Sequence, residues 1–367
     1  MKIDGRSSRT IWADPADRAV HVIDQTALPH AFTVKRLAGL KDAADAIQAM
    51  TVRGAPLIGV TAAYGLALAL AADSSDDGME RAIQRLTATR PTAVNLRWAL
   101  AEMRAGLMPL PPAARTEAAW ARARALADAD AAANETLGNH GLTLLAALWE
   151  TRRAEGAACL NILTHCNAGW LATVDWGTAL APVYKAFEDG IPLHVWVDET
   201  RPRNQGASLT ARELSWQGIA HTVIADNAGG HLMQQGLVDL CLVGADRVTA
   251  RGDVCNKIGT YLKALAAWDN GVPFYAALPS STIDWDIEDG RAIPIEERSP
   301  SEVSHIAGAG PDGQVIAVRL TPEGSPCANP GFDVTPARLI TALITEQGIH
   351  PASTEGLAPL RSRRNPS

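Results

Sequence analysis

A cysteine and an aspartate, each in a short polar loop after an apolar run, are the residues of this chain best placed to do chemistry. The first loop reads Thr164-His165-Cys166-Asn167-Ala168-Gly169, after the run at 159–164. The second reads Gly244-Ala245-Asp246-Arg247-Val248, after the run at 239–244. Gly252-Asp253-Val254-Cys255-Asn256-Lys257-Ile258-Gly259 follows it closely. A helix is expected to start near Ala168 or Gly169, and a thiol at a helix N-terminus sits in a field that favours thiolate. A carboxyl group after two small residues, at the carboxyl end of a strand, can meet a ligand at close range. Each has a plainer alternative. Cys166 could be a small core residue, and Asp246 could cap a helix or pair with Arg247.

Cations stand near related features. Arg53-Gly54-Ala55 enters an uncharged stretch, where a helix start would offer free N–H groups to an anion and Arg a bidentate partner. Asn256-Lys257 is expected to open another helix in the same way. With Arg90 these residues make a candidate phosphate cradle. His165 and His231 are assigned orienting or structural roles, because no carboxylate spacing marks a triad or a metal site. Cys159 and Cys241 are expected to pack inside strands.

These loops need elements to hold them. After residue 150, apolar runs at 159–164, 193–198, 221–225, 239–244 and 272–278 alternate with helix-length segments at 168–189, 206–217, 228–236 and 256–270. Alternation of this kind predicts βαβ units and a parallel sheet, an α/β fold. Gln314 to Leu320 is a candidate edge strand. Residues 11–24 predict a hairpin around Asp14-Pro15-Ala16-Asp17. From 41 to 150 the pattern is helical, broken at 73–78, 90–92 and 109–112. The expected division is therefore 1–150, mainly helical with a small β hairpin, 151–355, the catalytic α/β part, and 356–367, a disordered tail.

Other classes find little support. Net charge is −7 over 367 residues, so no basic field exists for nucleic acid or an anionic membrane. Gly54 to Ala72 is uncharged over about 19 residues, but its Ala and Gly content predicts a buried helix rather than a membrane span. Gly308-Ala309-Gly310-Pro311-Asp312-Gly313 spells a dinucleotide fingerprint, yet a strand-like run follows it and Pro311 lacks an N–H, so it reads as a turn. There is no Walker A motif. The five cysteines are an odd number without C-x-x-C spacing, which predicts a reducing, cytoplasmic setting. MKIDGRSSRTIW has no apolar core of the secretory kind.

The motifs in order are RGAPLIG at Arg53, THCNAG with LAT and GTAL, DETRP with NQG, GADR with GDV and NKIGTY, PFY with STID, and NPGFDVTP at Asn329–Pro336. This series resembles the methylthioribose-1-phosphate isomerase family. The wider group includes the alpha, beta and delta regulatory subunits of translation initiation factor two-B and ribose-1,5-bisphosphate isomerase. The resemblance implies a helical N-terminal domain, a Rossmann-like C-terminal domain and a homodimer. It implies catalytic roles for Cys166 and Asp246, and substrate contacts at Arg53, Gly54, Ala55, Arg90, Gln205, Asn256 and Lys257. It also implies conversion of an aldose 1-phosphate to a ketose 1-phosphate in methionine salvage, with no metal or nucleotide cofactor. Ala207-Ser208, after NQG, departs from the bulkier or basic residue expected there and bears on the pocket rim. The alternatives within the group are a different sugar phosphate, 5-deoxyribose 1-phosphate or ribose 1,5-bisphosphate, and a regulatory subunit without chemistry.

Overall fold

The computed structural model describes residues 1–3, 5–14 and 17–364, the last three by backbone alone. Near the N-terminus, β1 (Ile11–Asp14), β2 (Ala19–Ile23) and β3 (Val34–Leu37) form an antiparallel sheet in that order. The expected hairpin is its first pair, although Pro15 and Ala16 of the turn lie outside the described residues. Helices follow: α1 (Leu40–Gln48), α2 (Ala55–Leu70), α3 (Asp76–Thr87), α4 (Val94–Leu107) and α5 (Pro112–Ala154). Helix α2 is the uncharged stretch, buried along almost its whole length. It is packed round by α1, α3, α4 and α5, so its apolar surface faces protein on every side. No described helix is long and apolar enough to cross a membrane. The boundary expected at 150 falls inside α5, which packs on α2 and α4 and then on α6 beyond it.

The second half opens with β4 (Leu160–Thr164), then α6 (Leu180–Glu188), β5 (Leu193–Asp198), α7 (Ala211–Gln217), β6 (His221–Ile224), α8 (Gly229–Gln234) and β7 (Leu240–Val243). Next come β8 (Arg247–Thr249), β9 (Val254–Lys257), α9 (Thr260–Asp269), β10 (Phe274–Ala277), β11 (Ile283–Asp284), β12 (His305–Ala309), β13 (Val315–Arg319), β14 (Phe332–Thr335), β15 (Ala342–Thr345), β16 (Gly348–His350) and α10 (Thr354–Arg364). The main sheet runs β16-β15-β10-β7-β4-β5-β6. All its pairings are parallel except β15 with β16. Chain order runs outward from β4 through β5 to β6, then jumps back to β7 on the other side. The switch point therefore lies between β4 and β7, where α/β sheets open a crevice for ligands. A smaller sheet, β11-β8-β9-β14, grows from the loops above β7.

Several expectations need correction. The segment 168–189 is not one helix. A single 3-10 turn at Trp170–Ala172 is followed by a loop, and α6 starts only at Leu180. The Thr173 hydroxyl bonds Asp175 O at 2.7 Å, an alternative to the helix ladder. Asn256 and Lys257 lie on a strand, because β9 pairs with β14, a partner distant in sequence. Residues 315–319 form a strand, but it pairs only with β12, through the turn at Gly310–Gly313, and not with the main sheet. Cys159 stands just outside β4 and half-buried, whereas Cys241 is fully buried in β7.

The tail, expected to be disordered from 356, instead forms α10 through residue 364; residues 365–367 lie outside the described residues. Ser353 caps this helix, its hydroxyl accepting from Gly356 N at 3.0 Å. Leu357 and Leu360 share one face and are buried in the core under β10 and β15. That burial outweighs the local breakers. Leu357→Ala is expected to cost roughly 2–4 kcal/mol, lowering the melting temperature by about 3–5 °C, as a thermal denaturation scan would read. An unchanged melting temperature would mean that the tail is not part of the core.

Candidate active site

Cys166 and Asp246 follow β4 and β7, and these strands are paired neighbours, Ile162 with Leu240 and Leu163 with Cys241. The two loops thus leave the sheet side by side. Cys166 adopts a left-handed backbone (φ 68) and is buried. Two threonines hold it there: Cys166 N donates to Thr200 Oγ1 at 2.9 Å, and Thr210 Oγ1 donates to Cys166 O at 2.8 Å. Its sulfur lies 3.6 Å from Gln205 Oε1. The neighbouring His165 ties the loop inward, its ring nitrogens bridging Asp198 Oδ2 at 2.7 Å and Ile258 O at 2.8 Å. His165 is thus structural, as expected, while His231 is exposed on α8.

Arg53 reaches the thiol loop from the other half of the chain. Its guanidinium grips Asn167 twice, on Oδ1 and, at 2.7 Å, on the backbone O. Asn167 Nδ2 in turn donates to Glu213 Oε1 at 3.0 Å. Glu213 is a fully buried carboxyl on α7 that also accepts from Leu171 N at 2.9 Å and Tyr184 OH at 2.6 Å. Gly54 precedes α2 with φ 92, and a Cβ there would stand 2.4 Å from Ala172 O, so only glycine lets the helix start approach this loop. Ala55 begins α2, whose first turn leaves N–H groups outside the helix's own ladder.

Asp246 sits between β7 and β8, half-buried, with its backbone N donating to Cys255 O at 2.9 Å. It shares a small cavity with Ala55, Arg90 and Phe332. Arg90 Nη2 donates to Glu296 Oε2 at 2.9 Å, and Arg298 holds the other oxygen of Glu296 at 2.7 Å. Lys257 projects from β9 with Nζ 4.9 Å from the centre of the Phe332 ring. Asn256, its neighbour, bonds Thr260 at 3.0 Å and so fastens the start of α9.

Burial sets the proton affinities. It pushes the Cys166 thiol up, against the pull of Arg53 and Lys257. It likewise holds the Asp246 carboxyl above the ordinary carboxylate range, while Lys257, Arg53 and Arg90 pull it down. Lys257 is itself lowered by burial, opposed by Cys166 and Asp246. One thiol, one carboxyl group and three cations therefore share a field. The thiolate expected at a helix N-terminus is not the resting state, since no α-helix starts beside Cys166 and burial opposes the charge. The group leaves a concentration of positive charge in a crevice partly screened from water, an arrangement that receives a small anion beside a thiol and a proton-holding carboxyl.

The sequence alone did not single out Asn167, Glu213, Thr200, Thr210, Glu296 or Phe332. Asn167 lies within the quoted loop, where its contact with Arg53 gave no local signal. Glu213 reads in sequence as an ordinary helix acid, since nothing local marks it as buried.

Fold and site together define an α/β protein with an anion-receiving crevice at the switch point of its parallel sheet. The chain belongs to the Initiation factor 2 subunit family, whose model matches residues 51–352. It is 65% identical over 365 residues to a methylthioribose-1-phosphate isomerase of Paramagnetospirillum magneticum, covering 99% of this chain and 100% of the relative. Among solved structures it is similar to a 5-methylthioribose 1-phosphate isomerase from Pyrococcus horikoshii OT3, with TM-score 0.82 and 40% identity, over 98% of this chain and 97% of that one. It is also similar to the delta subunit of translation initiation factor eIF-2B from A. fulgidus, with TM-score 0.74 and 36% identity, over 94% and 96%.

The raised thiol pKa has a direct consequence. Only thiolate is alkylated, so iodoacetamide is expected to modify Cys166 more slowly than a free cysteine at pH 7, accelerating as pH rises past 9. Peptide mass analysis of a time course would read this, and rapid labelling at neutral pH would contradict it.

Proposed function

We propose that this chain is an aldose–ketose isomerase that converts 5-methylthioribose 1-phosphate to 5-methylthioribulose 1-phosphate, a step of methionine salvage. The observation that carries the reading is the shared field of Cys166, Asp246, Arg53 and Lys257 at the β4–β7 crevice. Relatives of that name, similar over the full length, agree with it.

The 1-phosphate blocks the free aldehyde that ordinary aldose isomerases use, so the furanose ring must open with phosphate still attached. Asp246, kept protonated by burial, gives its proton to the ring oxygen as the C1–O bond breaks. Hydrogen then moves from C2 to C1, and the proton on the C2 oxygen leaves as the ketone forms. Cys166 stands at these carbons: ionised, with its own proton given up to solvent, it takes the C2 proton and returns it to C1, or as the resting thiol it flanks a direct hydride shift. Arg53, Arg90 and Lys257, with the Gly54–Ala55 helix start, hold the phosphate. Gln205 and Asn256 complete the substrate contacts. Phosphate is the natural displacer of Glu296 from Arg90, because it brings charge-assisted bonds of the same kind. The catalytic groups need no metal or nucleotide. The free thiols suit a cytoplasmic protein, and a homodimer is the assembly that the resembling family implies.

Cys166→Ser and Asp246→Asn are each expected to lower turnover about 10²–10⁴-fold with smaller changes in substrate binding. Near-normal turnover in either would remove that residue's role. Because Asp246 acts in its protonated form, the rate falls as pH rises through its raised pKa, and a pH–rate profile shows the alkaline limb shifted in variants that move it. In deuterated water, solvent deuterium at C1 of the product rules out a purely direct hydride shift.

A further inference from the structure

Arg247, the residue after Asp246, is buried, and its guanidinium is spent on two partners far away in sequence. Nη1 lies 3.3 Å from Asp284 Oδ2, and Nη2 donates to the backbone O of Thr92. Its carboxylate partner is thus Asp284 and not the adjacent Asp246. The strands explain the choice. β8 runs parallel to β11, with Thr249 opposite Asp284. Arg247 lies two residues before Thr249, on the same face of β8 and diagonal to Asp284, within reach of a long side chain.

Thr92 belongs to the other half of the molecule. It stands in the short loop between α3 and α4, two residues after Arg90. Ala93 N donates to Arg90 O at 3.0 Å and closes a turn there, so a hold on Thr92 is also a hold on Arg90. Arg97 reaches Pro91 O only at 3.4 Å, long for a hydrogen bond, which leaves Arg247 as the firm, charge-assisted contact to this loop. The residues ahead of Asp284 grip the start of α4 directly. Asn95 Nδ2 donates to Ser281 Oγ at 3.1 Å, and Thr282 Oγ1 donates to Asn95 Oδ1 at 3.2 Å. Arg90 itself is buried, with Nη2 on Glu296 and Nε without a hydrogen-bond partner. A buried donor left unpaired by the protein is costly unless a ligand meets it.

We propose that Arg247 is a positioning residue for the phosphate contact: it pins the Arg90 loop of the helical half against the Asp246 loop of the sheet half, so that a bound phosphate is gripped in register with the proton donor. The inference rests on the isomerase reading above. Arg247 and Asp246 adjoin in the backbone, and both line one small cavity with Arg90 and Thr92. One end of the pin therefore moves with the acid and the other with the phosphate clamp. A guanidinium suits the task, because its planar fork serves a carboxylate and a carbonyl at once, whereas an ammonium is a single point charge on a flexible stem. Without the pin, Arg90 is left to its bond with Glu296, a rival of the phosphate.

Two measurements keep the pin apart from the isomerase reading. Turnover of 5-methylthioribose 1-phosphate by the wild type tests that reading by itself. Binding of inorganic phosphate, followed by isothermal titration calorimetry, tests the pin whichever sugar is the substrate. Arg247→Lys is the informative variant, since it keeps a positive charge beside Asp284. It is expected to hold the wild-type melting temperature while weakening phosphate binding about tenfold, the scale of one charge-assisted hydrogen bond. KM for the sugar phosphate rises with it, and kcat changes by less than about threefold. An arginine of merely structural use gives another pattern, in which lysine restores phosphate affinity together with the fold. Phosphate affinity within about twofold of the wild type, or a loss confined to kcat, would overturn the proposal. Wild-type protein that takes up no phosphate would overturn it too. If Arg247→Lys fails to fold, Asp284→Asn leaves Arg247 in place without its anchor and reads the same quantity. A loss of about threefold or more is then expected, and an unchanged affinity counts against the pin.

Discussion

The pairing of β4 with β7 is the constraint on which the rest of this molecule depends. Thr164 Oγ1 reinforces it by donating to Leu242 O at 2.7 Å. Neither strand's loop has a functional partner of its own. Only when the two strands lie side by side do the thiol of one loop and the carboxyl group of the other share a crevice. The sheet order places that pairing at the reversal of connectivity, so no crossover helix covers the space above it. The helical N-terminal region then closes the crevice from above, bringing Arg53, Ala55 and Arg90.

Closing the crevice imposes an electrostatic problem, because charges removed from water need partners. The structure answers with a chain of bonds from Arg53 through Asn167 to Glu213, with Tyr184 OH and Leu171 N completing the carboxyl group's contacts. The chain crosses between the two halves of the molecule, so it fixes their approach as well as the guanidinium. Gly169 is required at its centre, since a Cβ there would lie 1.6 Å from Glu213 Oε2. Burial also divides the protonation states usefully. Cys166 and Asp246 both hold their protons more firmly than free side chains, while the surrounding cations remain to receive an anion. Burial therefore favours the uncharged forms of both reacting groups, with cations on the walls around them.

Much of this was legible in the chain. The apolar runs at 159–164, 193–198 and 239–244 are strands, the uncharged stretch from Gly54 is a buried helix, and both loops lie at strand ends. Signals failed where a distant partner overrode a local pattern. Asn256-Lys257 read as a helix start because its strand partner, Phe332–Thr335, lies far along the chain. The tail read as disordered because its breakers are local, whereas the core that accepts Leu357 and Leu360 is not. The segment after Cys166 read as a helix because the hydroxyl bonds that interrupt it leave no periodic trace.

The sequence by itself determined the class of fold, the alternation of elements and the chemical types at two strand ends, since periodicity and loop composition are local quantities. Tertiary structure alone decided that those ends meet, that Arg53 is held by Asn167 and Asn167 by Glu213, and that burial favours the thiol of Cys166 over its thiolate. Each of these depends on which residues are brought together and how much water they exclude. Burial and the field of neighbouring charges are properties of the assembled fold, and no stretch of sequence carries them.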